Sequence, residues 1–289
     1  MTEVFHSGEL HVQHLLGATE AADSLRGVVM DKLPPAAIRF LPTFDFVVAT
    51  SIDGQGQVWT SFLTGPKGFV SIQSATSILL SIDEEKTFLA NIEKNDSVGL
   101  LFINFQARAR LRINGKIQKT QTGLLLEIGQ SYFNCPKYIQ ARTPVRSQEH
   151  ASQRVVQRVS SLNPGHINII SKADTFFIST YAPDQGADCS HRGGMPGFVE
   201  LVNDKKIRWP DYPGNNLYNT FGNLDVNPHC GLLFIDFTAN RILQLTGTAK
   251  LIINGDQHEV EFDLVAMNDI SDATPFHWKF LNYSPFNPA

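Results

Sequence analysis

Gly99–Phe105 reads GLLFINF and Gly231–Phe237 reads GLLFIDF, so six of the seven residues are identical. A second match lies upstream, where Gly68–Val70 and Gly197–Val199 share the same three residues. Collinear matches indicate an internal duplication, because chance similarity does not preserve order. The sequence therefore predicts two copies of one domain of about 110 residues.

A further match between the copies aligns two segments, one of which contains an arginine that the other lacks. Phe46–Val48 is matched with Phe176–Ile178, and extending this alignment without a gap places Thr60-Ser61-Phe62 opposite Ser190-His191-Arg192. On this alignment the second copy keeps an arginine where the first copy has a phenylalanine.

Each copy reads as short strands with one helix between them. Apolar and β-branched runs bounded by turn residues predict strands at 46–52, 58–63, 98–105, 110–119, 231–237 and 242–253. The predicted helices span 84–93 and 216–224. About six short strands with one helix suit a small closed or split barrel better than a sandwich of two full sheets.

The remaining segments read as helical. Apolar residues recur at helical spacing at Leu15, Ala18, Ala22, Leu25 and Val29, and Pro34-Pro35 ends that helix before a second one at 36–41. Three valines near residue 155 favour an amphipathic helical connector between the copies. The predicted organisation is an N-terminal helical arm (1–39), a first barrel (40–140), a helical connector (141–165) and a second barrel (166–289).

The composition favours a globular protein without nucleic-acid or membrane partners. The 289 residues are 42% hydrophobic and 18% charged, with 24 basic against 28 acidic residues and a pI near 6.1. The longest apolar runs are too short to span a bilayer, and no secretory signal is visible at the N-terminus. The three cysteines show no metal or disulfide spacing, which favours a cytoplasmic location and no metal site.

Several segments then resemble one known family. They are Ser190–Val199, Pro210–Asn216, Asn223-Leu224, Asn227-Pro228, Gly231–Phe234, Phe5–Leu10, Pro34–Leu41 and Ser131–Lys137. Together they are similar to the predicted flavin-nucleotide-binding branch of the pyridoxamine 5′-phosphate oxidase-like family. The resemblance implies split β-barrels whose dimer binds FMN at the interface.

Combined with the duplication, the resemblance implies a mainly β chain of two tandem FMN-binding split barrels that forms an intrachain pseudo-dimer. The second copy carries Arg192 and the Pro213–Asn216 turn, whereas the first copy has the acidic Ile82–Glu85 where an anion would sit. Conversely, only the first copy is followed by the Tyr132–Lys137 segment. One composite FMN site per chain is therefore expected, with the mirror site lost.

The residues expected to bind the cofactor come from both copies. They are Ser190, His191, Arg192, Gly193, Gly194, Trp209, Asp211, Asn215, Asn216 and Gln244 of the second copy, with Asn134 and Lys137 of the first. Arg192 would give a charge-assisted fork to the phosphate. Asn215 and Asn216 are expected to open a helix whose N–H groups bind an anion. Each residue also has an ordinary structural interpretation, and Trp209 in particular suits a core position.

Two positions depart from the family pattern. Gly194 stands where many relatives have aspartate, and Leu217 stands where many have arginine. Either the flavin site is weakened, or Lys137, Arg142 or Arg110 compensates. The alternating arginines at 108–112 are interpreted first as a solvated strand face.

The function expected from the resemblance is that of an FMN-dependent oxidoreductase acting on an unknown small molecule. NADH or NADPH would serve as reductant, and two chains could pair as a homodimer. The alternatives are a non-catalytic flavin carrier, a haem-binding split barrel with His191, His166 or His277 as ligand, and a binding scaffold without cofactor. The flavin supplies the chemistry, so no catalytic side chain is named.

Overall fold

The computed structural model describes residues 4–147, 154–255 and 257–288. The strands are β1 (Phe46–Ile52), β2 (Val58–Thr64), β3 (Val70–Ser74), β4 (Ser77–Leu80), β5 (Ser97–Asn104), β6 (Ala109–Lys119), β7 (Leu124–Asn134), β8 (Ala141–Arg146), β9 (Val155–Val159), β10 (Thr175–Ala182), β11 (Gly186–Gly193), β12 (Glu200–Leu201), β13 (Lys206–Pro210), β14 (His229–Asp236), β15 (Arg241–Asn254), β16 (Gln257–Ser271) and β17 (Phe276–Asn282). The α-helices are α1 (Ser7–Leu15), α2 (Thr19–Asp23), α3 (Pro35–Phe40), α4 (Lys86–Ile92), α5 (Pro164–Lys172) and α6 (Asn219–Val226).

Two antiparallel sheets repeat the same topology. The first has the strand order β2-β1-β5-β6-β7-β4-β3, and the second has β11-β10-β14-β15-β16-β13-β12, with β9 added to β16. Both carry a β-bulge at equivalent places, beside Gly115 in one sheet and Gly247 in the other. The predicted duplication of a mainly β domain is therefore confirmed.

Each sheet encloses its own apolar core, and a third core joins them. Leu63 of β2 and Val70 of β3, which lie at opposite ends of the first sheet, belong to one core, so that sheet curls around it. A separate cluster, with Val48 and Leu101 from one sheet and Phe177 and Leu233 from the other, lies between the two sheets. Burial of this shared cluster holds the two halves together.

The two halves meet around a pseudo-two-fold axis. A Cβ atom on Gly99 of β5 would lie 2.6 Å from the carbonyl oxygen of Ala187 on β11. A Cβ atom on Gly231 of β14 would lie 2.8 Å from the carbonyl oxygen of Val58 on β2. Because each half presents the same glycine to the same strand of the other, the contact is isologous, as in a symmetric dimer.

The ladders correct the alignment of the hairpin strands by one residue. Thr50 pairs with Gly99 and Ser179 pairs with Gly231, so Thr50 of β1 corresponds to Ser179 of β10 rather than to Thr180. A slip of one residue exchanges the two faces of a strand. The residue equivalent to Arg192 is therefore Leu63 rather than Phe62, and the serines at 61 and 190 are equivalent.

The prediction of a helical connector is wrong. Residues 141–146 form β8, which pairs with β17, and residues 155–159 form β9, which pairs with β16. The three valines that suggested a helical stripe are β-branched, and an available strand edge turns them into strand residues. Residues 148–153 of this segment lie outside the described residues.

The N-terminal arm is helical but is not one continuous helix. α1 ends before Gly17, which has a φ of 64°, and α2 and a 3₁₀ turn at Arg26–Val28 follow. The arm crosses to the second half, where α1 packs on α6. A Cβ atom on Gly222 would lie 2.6 Å from the backbone of Glu9, so glycine permits this close approach.

Candidate functional site

A polar cleft lies between the two halves, with an empty volume of about 620 Å³ that includes space open to solvent. Its walls come from β6 and the end of β7 in the first half, and from β11, the 211–218 loop and the start of α6 in the second. The lining residues are Leu101, Arg110, Arg112, Asn134, Cys135, Ser190, His191, Arg192, Asp211, Tyr212, Gly214, Asn215, Asn216, Tyr218, Asn219, Thr220 and Phe221. It is called the arginine cleft below, after Arg110, Arg112 and Arg192.

Three arginines converge on this cleft from two strands. Arg110 and Arg112 project from the same face of β6, because alternate residues of a strand share a face. Arg192 enters from β11, with its Nη1 atom 3.3 Å from Oδ1 of Asp211 and its guanidinium over the ring of Phe221. Burial, together with the charges of Arg192 and Arg112, lowers the pKa of Arg110 to about 10. The cleft therefore carries an excess of closely spaced positive charge.

A buried network holds Arg112 in place. Its Nη1 atom donates to Oδ1 of Asp188 at 3.0 Å and to the hydroxyl of Tyr132 at 2.7 Å, and its Nη2 atom donates to Oγ of Ser190. Asp188 also accepts from Nδ2 of Asn114 at 2.6 Å and from Nδ2 of Asn223 at 2.8 Å. With its side chain 5% exposed, Arg112 is rigidly positioned at the floor of the cleft.

Several nitrogen atoms of the cleft residues have no hydrogen-bond partner among the described residues. They are Nε of Arg112, Nε of Arg192, Nε2 of His191 and Nδ2 of Asn134. Buried polar groups in native proteins are nearly always hydrogen-bonded, so these unpartnered donors make the cleft a candidate site for a hydrogen-bond acceptor.

The start of α6 adds backbone donors to the same cleft. The helix begins at Asn219, so Asn215 and Asn216 lie in the preceding loop and do not open it as predicted. Its N-cap residue, Tyr218, has a left-handed conformation and makes no side-chain cap. Uncapped N–H groups at a helix start attract anions.

The arm extends the network beneath the cleft. Nδ2 of Asn219 donates to Oε1 of Glu9 at 2.5 Å, and the hydroxyl of Tyr132 donates to Oδ1 of Asn219 at 2.9 Å. Burial, with the negative charge of Asp188, raises the pKa of Glu9. The arm thus fixes Asn219 from the side opposite to the cleft.

The structure brings most of the sequence-predicted residues together. Seven line the cleft: Asn134, Ser190, His191, Arg192, Asp211, Asn215 and Asn216. Lys137 and Gly193 line a smaller adjoining lobe, which also holds Tyr138 and Tyr212.

Three predicted residues lie elsewhere. Trp209 is 1% exposed in the apolar core of the second half, where its ring packs on Phe176. Gln244 lies at the pseudo-symmetric position, with Nε2 3.2 Å from Oγ of Ser61. Gly194 packs against Phe198 and is absent from both lobes. Burial away from the cleft removes these three residues from the site.

The two departures from the family pattern have physical explanations. A Cβ atom on Gly194 would lie 2.6 Å from Cγ of Phe198, so an aspartate there would require Phe198 to move. Leu217 is 2% exposed and packs with Phe5 and Tyr132 under the N-terminal arm. Of the three cations considered as replacements, Arg110 lies in the cleft and Lys137 in the adjoining lobe, whereas Arg142 pairs with Asp174 at 2.5 Å.

Sequence reasoning underrated the arginine run and missed the start of α6. The prediction of a solvated strand face at 108–112 is wrong for Arg112, because the second half covers that face. The alternation Arg108-Ala109-Arg110-Leu111-Arg112 was the available signal. Asn219 and Thr220 gave no comparable signal, since their place depends on the helix boundary.

The pseudo-symmetric position is chemically different. Leu63, Ile242 and Gln244 stand where the arginine cleft has Arg192, Arg110 and Arg112. The helix equivalent to α6 is α4, and its first turn is capped by the carboxylate of Glu85, which accepts from the backbone N–H of Phe88. The protein's own carboxylate thus occupies the anion position on that side.

Two of the three histidines considered as haem ligands have a side-chain neighbour at hydrogen-bond distance, and the third is exposed. Nδ1 of His191 lies 3.0 Å from Nη1 of Arg110, Nε2 of His166 lies 3.0 Å from Oδ2 of Asp269, and His277 is exposed on β17. Within the described ranges, no group of three or more His, Cys, Asp or Glu side chains is arranged to hold a metal ion. In the same ranges, no helix has the length and apolarity needed to cross a membrane.

The protonation of His191 gives a prediction for stability. Burial, and then the charges of Arg110, Arg192 and Arg142, hold the pKa of His191 well below 6.5. The folded protein keeps this imidazole neutral, while the unfolded chain protonates it below about pH 6.5. We therefore expect this group to lower the free energy of unfolding as pH falls below that value, by up to about 1.4 kcal/mol per pH unit.

Urea denaturation between about pH 7.5 and pH 5 measures this slope. A His191→Gln variant should show a shallower decline than the original protein, because it lacks the titrating group. Equal slopes in the two proteins would contradict the assignment of a neutral, buried His191.

One family model matches the two halves of the chain separately. The family model described as pyridoxamine 5′-phosphate oxidase matches residues 33–159 and again residues 165–274. No curated protein matches the chain.

Among solved structures, a putative pyridoxamine 5′-phosphate oxidase from Lactobacillus delbrueckii is 9% identical, with 43% of this chain and 98% of that chain covered and a TM-score of 0.32. HupZ from Group A Streptococcus is 13% identical, with 37% and 93% covered and a TM-score of 0.31. A FAD-binding protein from Mesorhizobium loti is 7% identical, with 40% and 99% covered and a TM-score of 0.30.

Proposed function

The chain belongs to the pyridoxamine 5′-phosphate oxidase family, and from that premise we propose that it binds one FMN in the arginine cleft and acts as an FMN-dependent oxidoreductase on a small molecule. The observation that carries the proposal is the set of unpartnered donors on Arg112, Arg192, His191 and Asn134 in one cleft. A phosphate dianion supplies the acceptors and the negative charge that this set lacks.

The arginines and the helix start suit the phosphate. Arg112 and Arg192 approach from opposite halves. Arg192 uses Nη1 for Asp211 and can present its other nitrogens to phosphate oxygens, whereas Arg112 uses both Nη atoms within the protein and offers Nε. The uncapped start of α6 adds N–H groups on the same side. Arg110 contributes charge without a carboxylate partner in the described residues, which supports an anionic ligand.

The other cleft residues suit the polar edge and the faces of a flavin ring. Asn134 offers an unpartnered amide donor from the end of β7. Tyr138 and Tyr212 lie with their ring centroids 5.3 Å apart and wall the adjoining lobe. Bound FMN would supply the redox chemistry. The protein's own groups would bind it, orient it and exclude water from it.

A single site per chain follows from the difference between the halves. Leu63, Ile242 and Gln244 carry no positive charge, and Glu85 already fills the anion position at α4. A second flavin phosphate would meet Asp83, Glu84 and Glu85 there beside Lys86, Arg146 and Arg154, a lining without the excess of positive charge that the arginine cleft has. The proposed stoichiometry is therefore one FMN per chain.

The experiment is an absorption titration of the purified protein with FMN, with any copurified cofactor released and identified by mass. A flavin spectrum that saturates at one FMN per chain is the expected result. Saturation at two per chain would contradict the single site, and no binding would contradict the flavin assignment. Reduction of bound flavin by NADH or NADPH then separates an oxidoreductase from a flavin carrier.

A further inference from the structure

A second cleft opens between the halves, at the turn that joins β10 to β11. Its empty volume is about 1130 Å³, including space open to solvent, and it is bordered by the end of α4, the start of β5 and the bulge of β6 and β7. The residues that define it are Asn95, Asn114, Gln130, Tyr181, Gln185 and Gly186. It is called the hairpin cleft below. None of its lining residues lines the arginine cleft.

The position that the pseudo-two-fold axis relates to the hairpin cleft is closed by two side chains of the protein. Gly186 corresponds to Gln57, and Asn114 corresponds to Thr246. There the hydroxyl of Thr246 donates to Oε1 of Gln57 at 3.3 Å, so the two side chains satisfy each other across the gap. Glycine at 186 removes that partner and leaves the space open.

The same substitution leaves an acceptor unpartnered at the floor of the hairpin cleft. Asn114 is 8% exposed, and its Oδ1 atom has no hydrogen-bond partner in the part of the chain that the structure describes. Its Nδ2 atom is held by Asp188 at 2.6 Å. Rotation of the amide would place Oδ1 against that carboxylate, so the orientation is fixed by the network. A buried acceptor that is held in one orientation is expected to accept a hydrogen bond, and a bound ligand would supply the donor.

The remaining polar groups indicate the chemistry of that ligand. Nδ2 of Asn95 donates to the hydroxyl of Tyr181 at 3.3 Å, which leaves the tyrosine O–H free to donate. The charged side chains at the cleft nearly balance: Lys116 pairs with Asp96 at 2.6 Å, Glu93 lies 4.0 Å from Lys119, and Lys94 and Asp184 carry opposite charges. Amide and phenol groups both donate and accept, as hydroxyl groups do.

We propose that the hairpin cleft is a second small-molecule site that binds a neutral, hydroxyl-rich ligand, a sugar or polyol. The Asn114 amide would accept from a ligand hydroxyl, and the Tyr181 hydroxyl would donate to one. The site does not depend on flavin binding, although Asp188 connects its floor to Arg112.

Saturation-transfer NMR on the full chain tests the proposal with D-glucose and D-ribose as probes, and with D-gluconate and D-glucosamine as charged analogues of matched size. Transfer to a neutral sugar is expected, with weaker transfer to both charged analogues. Asn114→Thr, which installs the residue of the other half, and Tyr181→Phe should each weaken sugar binding about 10-fold.

Arg192→Leu serves as the control, because that residue lines only the arginine cleft and its adjoining lobe. It should leave sugar binding unchanged while FMN binding falls, so failure of either site is distinguishable from failure of the other. Near-ultraviolet circular dichroism verifies that each variant is folded. The proposal is overturned if neither neutral sugar binds, if a charged analogue binds more strongly, or if both cleft variants retain full binding.

Discussion

Arg112→Gln is expected to lower the free energy of unfolding by about 3–5 kcal/mol and to abolish FMN binding. Glutamine is the residue that the other half carries at this position. In the arginine cleft, however, Asp188 is 6% exposed and depends on Arg112 for its only ion pair within the described residues. Removing one member of a buried pair leaves an uncompensated charge, which costs far more than the pair itself contributes.

The double variant Arg112→Gln/Asp188→Asn separates the two effects. Neutralising Asp188 removes the unpaired charge, so urea denaturation should show recovery of much of the lost stability. FMN binding, monitored by quenching of flavin fluorescence, should stay absent, because the phosphate would lack its contact with Arg112. If the double variant binds FMN normally, Arg112 does not contact the cofactor.

Lys116→Gln is a suitable control for the stability measurement. Lys116 lies on β6, as Arg112 does, and pairs with Asp96, but both side chains of this pair are more than half exposed. Exposed pairs contribute little, so the midpoint of unfolding should barely move.

Arg192→Leu is expected to weaken FMN binding about 10- to 150-fold and also to lower the free energy of unfolding, because the largely buried Asp211 loses its ion pair with Arg192. A hydrogen bond to a charged group contributes about 1.5–3 kcal/mol, which corresponds to that range in Kd. Leucine occupies the equivalent position 63 in the first half, so the strand tolerates it. Fluorescence titration of FMN gives the two dissociation constants directly.

The matched control is Arg208→Ala on β13. Arg208 is also a partly exposed arginine of the second half, but it pairs with Glu261 at 3.2 Å outside the arginine cleft. Its loss should leave the FMN dissociation constant unchanged. Equal weakening by both variants would mean that Arg192 acts only through the general charge of the protein.

The fold was largely predictable from the sequence, because the two copies within a duplicated chain can be compared with each other. The repeated GLLFI segments placed β5 and β14 correctly, and runs of apolar and β-branched residues bounded by turns placed β1, β2, β6 and β15. The segments at 141–146 and 155–159 were misassigned, because their strand state depends on edges supplied by β17 and β16. Local periodicity contains no information about such distant partners.

The candidate site was predictable in location but not in its charges. Arg192 and Asn134 were found through the resemblance, and both lie in the cleft. Arg112 was missed, because the burial of its strand face is created by the packing of the second half. Trp209 was misplaced, since strand register decides whether a residue faces the core or the cleft.

Because the two halves are covalently joined, the arginine cleft should respond to dilution differently from a cleft between two separate subunits. A cleft shared by two separate subunits disappears when a dimer dissociates, so its occupancy depends on protein concentration. Here both walls lie on one polypeptide, and tethering two partners gives them an effective concentration in the millimolar range. The arginine cleft should therefore persist at any dilution of the folded chain, whereas an unlinked pair of barrels would lose its shared site once diluted below the dissociation constant of the pair.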